Sequence, residues 1–250
     1  MYDQLETDMS LQKLKTLANE FTLAGIKYGI IGGWASYYYV NPTYIRAFGK
    51  DYMKSRDIDI FVDSSNELEV SHIIRRLGFE SDGLPFRYQL IYNREVKNFQ
   101  SEIESKKCEV YNLIYIFLDL FSNNPTTHIN TWNDLPPLKN VNPYQIDNMS
   151  FVDIDTLAAL KCTAIFSRDK ADKENKDACD LYSILLYGNQ VIKSNKLLIE
   201  AIKKILSRQD LIFMIAQQVL SDDSKRGIVV RALEGCLQKL ELGSSIQNGN

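Results

Sequence analysis

The chain has 250 residues, 45% of them hydrophobic and 24% charged, with a formal net charge of −3. This is an ordinary globular composition whose slight acidic excess argues against a general nucleic-acid binder. No apolar run nears the roughly 20 residues of a membrane span, and the opening Met1-Tyr-Asp-Gln-Leu-Glu lacks a signal peptide's basic and apolar regions. A cytoplasmic protein is therefore expected.

Along the chain, apolar residues at Leu11, Leu14, Leu17, Ala18 and Phe21 predict an amphipathic helix over 5–23, closed by Gly25. A strand follows over 28–31, then Gly32-Gly33, then a short helix over 34–40. A glycine pair at a strand-to-helix turn lets backbone approach a ligand with no Cβ between them. The helix N-terminus beyond it favours phosphate, and Ser36 could add a hydroxyl.

The next apolar run, Ser55-Arg-Asp-Ile-Asp-Ile-Phe-Val-Asp63, carries Asp57 and Asp59 two residues apart. On a strand they project from one face. Carboxylates so close repel unless a cation sits between them, and a hard ion such as Mg²⁺ or Mn²⁺ suits carboxylate and triphosphate oxygens together. A phosphate cradle ahead of a metal-binding pair is what phosphoryl or nucleotidyl transfer needs. Taken singly, Gly-Gly reads as a plain turn and Asp-x-Asp as a solvated strand edge.

A helix over 66–77, capped by Ser64 or Ser65, is expected to end at Gly78, with His72 on it as a surface or packing residue. Strands are predicted over 87–92 and 109–121, joined by a turn or long loop over 93–107. The second is almost wholly apolar and aromatic and reads as a buried central strand. Asp119 is its only charge between Tyr111 and Phe121. It reads as a third metal ligand or general base, or else as a cap on the loop that begins at Ser122.

Residues 125–150, rich in Asn, Pro and Thr, read as a linking loop that Pro136-Pro137 keeps from being helical. Helices are predicted over 155–168, 174–187, 194–206, 210–220 and 223–241, before a disordered tail. Lys161 and Arg168 share one helix face, Asp177 and Asp180 the next. Pattern alone also allows a snorkelling lysine and an ordinary pair of surface charges. Four scattered cysteines and two distant histidines, His72 and His128, indicate neither a disulfide framework nor a zinc cluster.

Gly32-Gly33, Asp57-Ile-Asp59 and Asp119 together resemble the DNA polymerase β-like nucleotidyltransferase superfamily. Gly32-Gly33-Trp34-Ala35 is also similar to the lincosamide and aminoglycoside nucleotidyltransferases. Leu157-Ala-Ala-Leu-Lys161 followed by Lys176-Asp-Ala-Cys-Asp-Leu181 resembles the helical half of AbiEii-type toxin nucleotidyltransferases. The resemblance spans residues 20–190. It implies an α/β (α+β) fold, with an N-terminal mixed sheet flanked by helices and a C-terminal helical bundle. The domains would be 1–124, a linker 125–152, a helical domain 153–242 and a tail 243–250.

The resemblance further implies an NTP donor, Mg²⁺ or Mn²⁺ on Asp57, Asp59 and Asp119, and a triphosphate held by Gly32, Gly33 and Ser36. Lys161 would neutralise the nucleotide phosphates, and Asp177 and Asp180 would fill the family's Asp-x-x-Asp motif. The acceptor would be RNA, plausibly tRNA, with an antitoxin partner, or else a small hydroxylated molecule. A nucleotide-binding sensor without turnover is the remaining reading. Two departures stand out: residues 41–54 look inserted, and Trp34 replaces the Ser or Thr usual after the glycines.

Overall fold

The computed structural model describes residues 3–122, 143–167 and 171–247. His128, Pro136, Pro137 and Arg168, and the end of the expected tail, lie outside the described residues. The fold is α+β, as expected, with two compact units: residues 1–35 with 53–153, and residues 36–52 with 154–250.

The first unit holds one mixed sheet. Its strands are β1 (Tyr28–Ile31), β2 (Ile58–Val62), β3 (Glu80–Ser81), β4 (Arg87–Asn93), β5 (Asn98–Gln100), β6 (Leu113–Ser122), β7 (Tyr144–Ile146) and β8 (Met149–Phe151). They run in the order β3-β4-β6-β2-β1-β8-β7, with β5 beside β4. β2 and β6 are parallel, as are β1 and β8, while the other pairs are antiparallel.

Alternation in β2 and β6 separates two chemistries. Ile58, Ile60, Ile116, Leu118 and Leu120 are buried, whereas Asp59, Phe117 and Asp119 on the opposite face are partly open. Helices α1 (Gln4–Leu23) and α3 (Glu67–Arg76) cover the aliphatic face. Tyr28, which stands on that face opposite Val62, donates its hydroxyl to Ala18 of α1, and Tyr88 donates to Ser71 of α3. The periodic residues Leu14, Leu17, Ala18 and Phe21 of α1 are all buried. Full burial of a Leu or Phe is worth about 1.5–3 kcal/mol, which secures this layer.

Several expectations about local structure change. The helix after the glycines, α2, runs over Gly32–Phe48 rather than 34–40 and passes through Pro42, so most of the expected insertion is helical. An interior proline costs roughly 3 kcal/mol. Continuing the helix buries Tyr39, Val40 and Tyr44, which offsets that cost. Neither Ser64 nor Ser65 caps α3: Asp63 caps the short 3-10 turn Ser64–Asn66 that leads into it, accepting from Ser65 N at 3.0 Å and its hydroxyl at 2.8 Å, and α3 starts after Asn66 with no side-chain cap.

The expected loop over 93–107 holds β5 and the short helix α4 (Glu102–Ser105). Helix α4 opens on a capping box in which Ser101 and Glu104 satisfy each other's backbone N–H. The expected linker ends in the β7–β8 hairpin, whose two-residue turn places Asp147 and Asn148 at φ 50° and 63°. Asn and Asp tolerate this conformation, which primed hairpin turns require.

The second unit is helical: residues 36–52, then α5 (Ile154–Ser167), α6 (Ala171–Tyr187), α7 (Lys196–Ser207), α8 (Gln209–Gln218) and α9 (Arg226–Gln247). Asn195 caps α7 by accepting from Leu198 N at 2.8 Å, and Leu198, Ala201, Ile202 and Ile205 form its buried stripe. Tyr44 anchors an aromatic cluster with Phe48, Tyr52 and Tyr187, and donates its hydroxyl to Val219 O at 2.5 Å. Asn41 accepts from Tyr52 N at 2.7 Å, tying the chain after α2 back to the helix. No described helix is long and apolar enough to cross a membrane.

Candidate active site

The site is one rung of the first unit's sheet. Ile31 pairs with Asp59, Asp59 with Asp119, and Asp119 with Arg87, across β1, β2, β6 and β4. Paired residues on neighbouring strands stand about 5 Å apart and project from the same face. The register therefore sets Asp59, Asp119 and Arg87 side by side.

Gly32 follows Ile31 and opens α2 at φ +67°. A Cβ built on it would lie 2.0 Å from Asp59 Oδ2 and 2.7 Å from its Cγ. Glycine is required here twice over, for its backbone conformation and for the close approach of the Asp59 carboxylate. Gly33 is buried within the first turn. Trp34 is fully buried and donates its indole N–H to Ser10 at 3.0 Å, so it anchors the turn to α1. Ser36 is the fifth residue of α2, fully buried and grouped with the second unit.

Asp57 stands immediately before β2 with its side chain 37% exposed. The Ser55 hydroxyl pins that entry by donating to Asp57 O at 3.0 Å, and Arg56 Nε lies 3.3 Å from Asp57 Oδ1. Asp119 meets a different cation. Arg87 grips it with both prongs, Nε to Oδ1 at 2.6 Å and Nη2 to Oδ2 at 2.7 Å. Asp82 flanks Arg87 at 3.9 Å, and the guanidinium lies over Phe117 and Phe86. The hydrogen bonds to Asp119 hold the Arg87 pKa well above the usual arginine value.

Sequence reasoning missed Arg56 and Arg87. Arg87 was legible only as the first residue of a predicted strand, because its closeness to Asp119 depends on strand register. Among the described residues, no group of three His, Cys, Asp or Glu side chains is placed to hold an ion together. Asp57 and Asp59 supply hard oxygen donors of the kind that fits Mg²⁺ or Mn²⁺, beside a turn kept clear of any Cβ. Asp119 is of the same chemical kind, but both its oxygens already accept from Arg87.

The other sequence-derived candidates meet in the second unit. Lys161 Nζ donates to Asp177 at 2.9 Å and to Asp180 at 2.6 Å, and Tyr52 donates its hydroxyl to Asp180 at 2.9 Å. All four residues are buried. Burial by itself would lower the Lys161 pKa, but the two carboxylates outweigh it and the net shift is upward. Burial, with Asp180 next, pushes the Tyr52 hydroxyl far above the usual tyrosine value. Lys161 is thus a core cation, neither a snorkelling surface residue nor half of a surface pair.

No family and no curated protein matches this sequence. Solved structures share its fold. The chain aligns with JHP933 from Helicobacter pylori at TM-score 0.56 and 12% identity, covering 99% of this chain and 98% of that one. It aligns with an antigenic nucleotidyltransferase-like protein from Paracoccidioides brasiliensis at TM-score 0.50 and 16% identity, covering 83% and 92%. The lincomycin-bound lincosamide antibiotic adenylyltransferase LnuA aligns at TM-score 0.37 and 16% identity, covering 69% and 96%, too distant a likeness to carry weight.

Proposed function

We propose that the protein is a metal-dependent nucleotidyltransferase, moving an NMP group from an NTP to an acceptor hydroxyl. The observation that carries this reading is the approach of Asp59 to Gly32. A carboxylate sits where any side chain on the first residue of α2 would collide with it, next to a second carboxylate on the same rung. Purely structural packing has no need of that arrangement, whereas phosphate beside a metal-binding carboxylate does.

In this reading Asp57 and Asp59 hold the ion, and Gly32 and Gly33 leave room for the triphosphate against the backbone at the start of α2. A divalent ion bound there would offset the charge of the phosphate oxygens and of the departing pyrophosphate. The acceptor oxygen bonds to the α-phosphorus as the bond to the bridging oxygen breaks, and pyrophosphate leaves with that electron pair. Asp119 orients the acceptor hydroxyl and takes its proton, since a carboxylate has about four acceptor sites and Arg87 occupies two.

Lys161, Asp177 and Asp180 enter as the charged core of the second unit. An ammonium already held by two carboxylates supports a positioning role there better than phosphate neutralisation. RNA is the acceptor favoured by the resemblance of that block, within a toxin–antitoxin pair.

Calorimetric titration of the four NTPs, with and without Mg²⁺, tests the reading on wild type and on Asp57→Ala/Asp59→Ala. Binding that needs metal and vanishes in the double variant supports it and names the donor. Incubation with that α-labelled NTP and with tRNA, aminoglycosides or lincosamides then identifies the acceptor. Full transfer activity in Asp57→Asn would sink the assignment, and binding without transfer to any acceptor would favour a sensor.

A further inference from the structure

Arg87 gives the site an asymmetry that its three carboxylates do not suggest. Asp119 has its oxygens on a guanidinium at 2.6 and 2.7 Å, a planar fork matched to a planar carboxylate. That fork is held in place from several sides. It lies 5.4 Å above the Phe117 ring and 5.8 Å from Phe86, and Asp82 stands 3.9 Å from its Nε. Phe117 is two residues before Asp119 on β6, so the ring under the guanidinium projects from the carboxylate's own face. Asp57 is more open than Asp119, with Arg56 Nε 3.3 Å from its Oδ1, and it feels the Arg87 charge without being gripped by it as Asp119 is.

We propose that Arg87 is a resident cation at Asp119, so that the site takes one divalent ion, on Asp57 and Asp59, where three carboxylates would otherwise accommodate two. The inference rests on the nucleotidyltransferase reading and concerns how its charge is supplied. A second ion bound to Asp119 at roughly 2.0–2.1 Å would have to share with Arg87 the two oxygens that the guanidinium already grips, and would set two like charges against each other. With Arg87 in place, the second positive charge is covalently part of the chain. It is directional, always protonated and independent of metal supply. Of its five N–H donors two are spent on Asp119, leaving others for an anionic substrate.

The test counts ions rather than turnover. Mn²⁺ is titrated into the full chain with a non-hydrolysable α,β-methylene analogue of each NTP, and bound ions are counted by electron paramagnetic resonance against nucleotide alone. Wild type is expected to bind one Mn²⁺ with an uncoupled six-line spectrum. Arg87→Gln is expected to bind two with an exchange-coupled spectrum, since paired ions in such sites sit about 3.5–4 Å apart. Arg87→Lys keeps the charge and should keep one ion. Asp119→Asn should leave the wild-type ion's affinity within threefold.

Two coupled ions on wild type overturn the inference and leave the nucleotidyltransferase reading standing. So does a tenfold or greater loss of affinity in Asp119→Asn, or a single ion in a folded Arg87→Gln. Should Arg87→Gln not fold, the wild-type count and Asp119→Asn decide the matter. No ion on wild type with any nucleotide overturns the nucleotidyltransferase reading itself.

Discussion

Gly32→Ala and Gly25→Ala form a matched pair that isolates the contact on which the site depends. Both glycines have nearly the same positive φ, +67° and +68°. A Cβ on Gly25 would meet nothing within 4 Å, whereas one on Gly32 would lie 2.0 Å from Asp59 Oδ2 and 3.0 Å from Asp59 Cβ. The left-handed conformation costs an L-residue about 1–2 kcal/mol, and the unfolded-state entropy lost by replacing glycine returns about 0.4–1 kcal/mol. Gly25→Ala should therefore destabilise by about 1 kcal/mol.

Gly32→Ala bears the same backbone cost and must also drive the Asp59 carboxylate aside. Overpacking of this kind costs roughly 1–3 kcal/mol, so a total of about 2–4 kcal/mol is expected. Urea unfolding followed by tryptophan fluorescence reads the difference, since Trp34 is buried next to the turn. Metal-dependent NTP binding should be lost in Gly32→Ala and kept in Gly25→Ala. Equal destabilisation of the two variants, within about 0.5 kcal/mol, would refute the close approach of Asp59 and the argument built on it.

Three further outcomes are expected. Lys161→Met leaves Asp177 and Asp180 buried without their cation and should cost about 3–5 kcal/mol in urea unfolding, partly recovered when both aspartates become asparagine. Because the folded-state pKa of Lys161 is raised, its contribution is fully present below the free lysine value near 10.4 and is lost as pH rises through the folded value. The stability gap between wild type and Lys161→Met should accordingly be flat from pH 6 to 9 and close only in the alkaline range; a gap already closing at pH 8 would contradict the upward shift. Trp34→Phe strands the buried Ser10 hydroxyl and should cost about 1–3 kcal/mol in thermal or urea unfolding, with no change in the Mn²⁺ count. Burial pushes the Cys162 thiol up to about 12 and also raises that of Cys179, so iodoacetamide at pH 8 should modify part-exposed Cys108 well before either, as read by mass spectrometry.

What the sequence determined by itself was the local grammar of the site. The double glycine between strand and helix, two aspartates two residues apart where a strand begins (Asp59 on β2, Asp57 just before it rather than on the strand as expected) and the single charge on the β6 run are all statements about residues within a few positions of each other. Side-chain alternation on a strand and the 3.6-residue period of a helix are short-range properties, so 5–23, 28–31 and most of the C-terminal helices were legible. The hairpin at Asp147-Asn148 and the capping box at Ser101 and Glu104 were equally local and went unread amid polar segments.

Only the tertiary structure decided what stood next to what. Asp59 lies beside Asp119, and Asp119 beside Arg87, because β6 inserts between β2 and β4, a choice made by burying the aliphatic face of three strands together. Helix α2 continues through Pro42 because its aromatic side chains gain more from burial than the lost backbone hydrogen bond costs. Lys161 became a core cation through the meeting of α5 and α6, which no periodicity announces. Local pattern states which face a residue occupies; the partner on that face is chosen by long-range burial and charge pairing, which are properties of the folded chain.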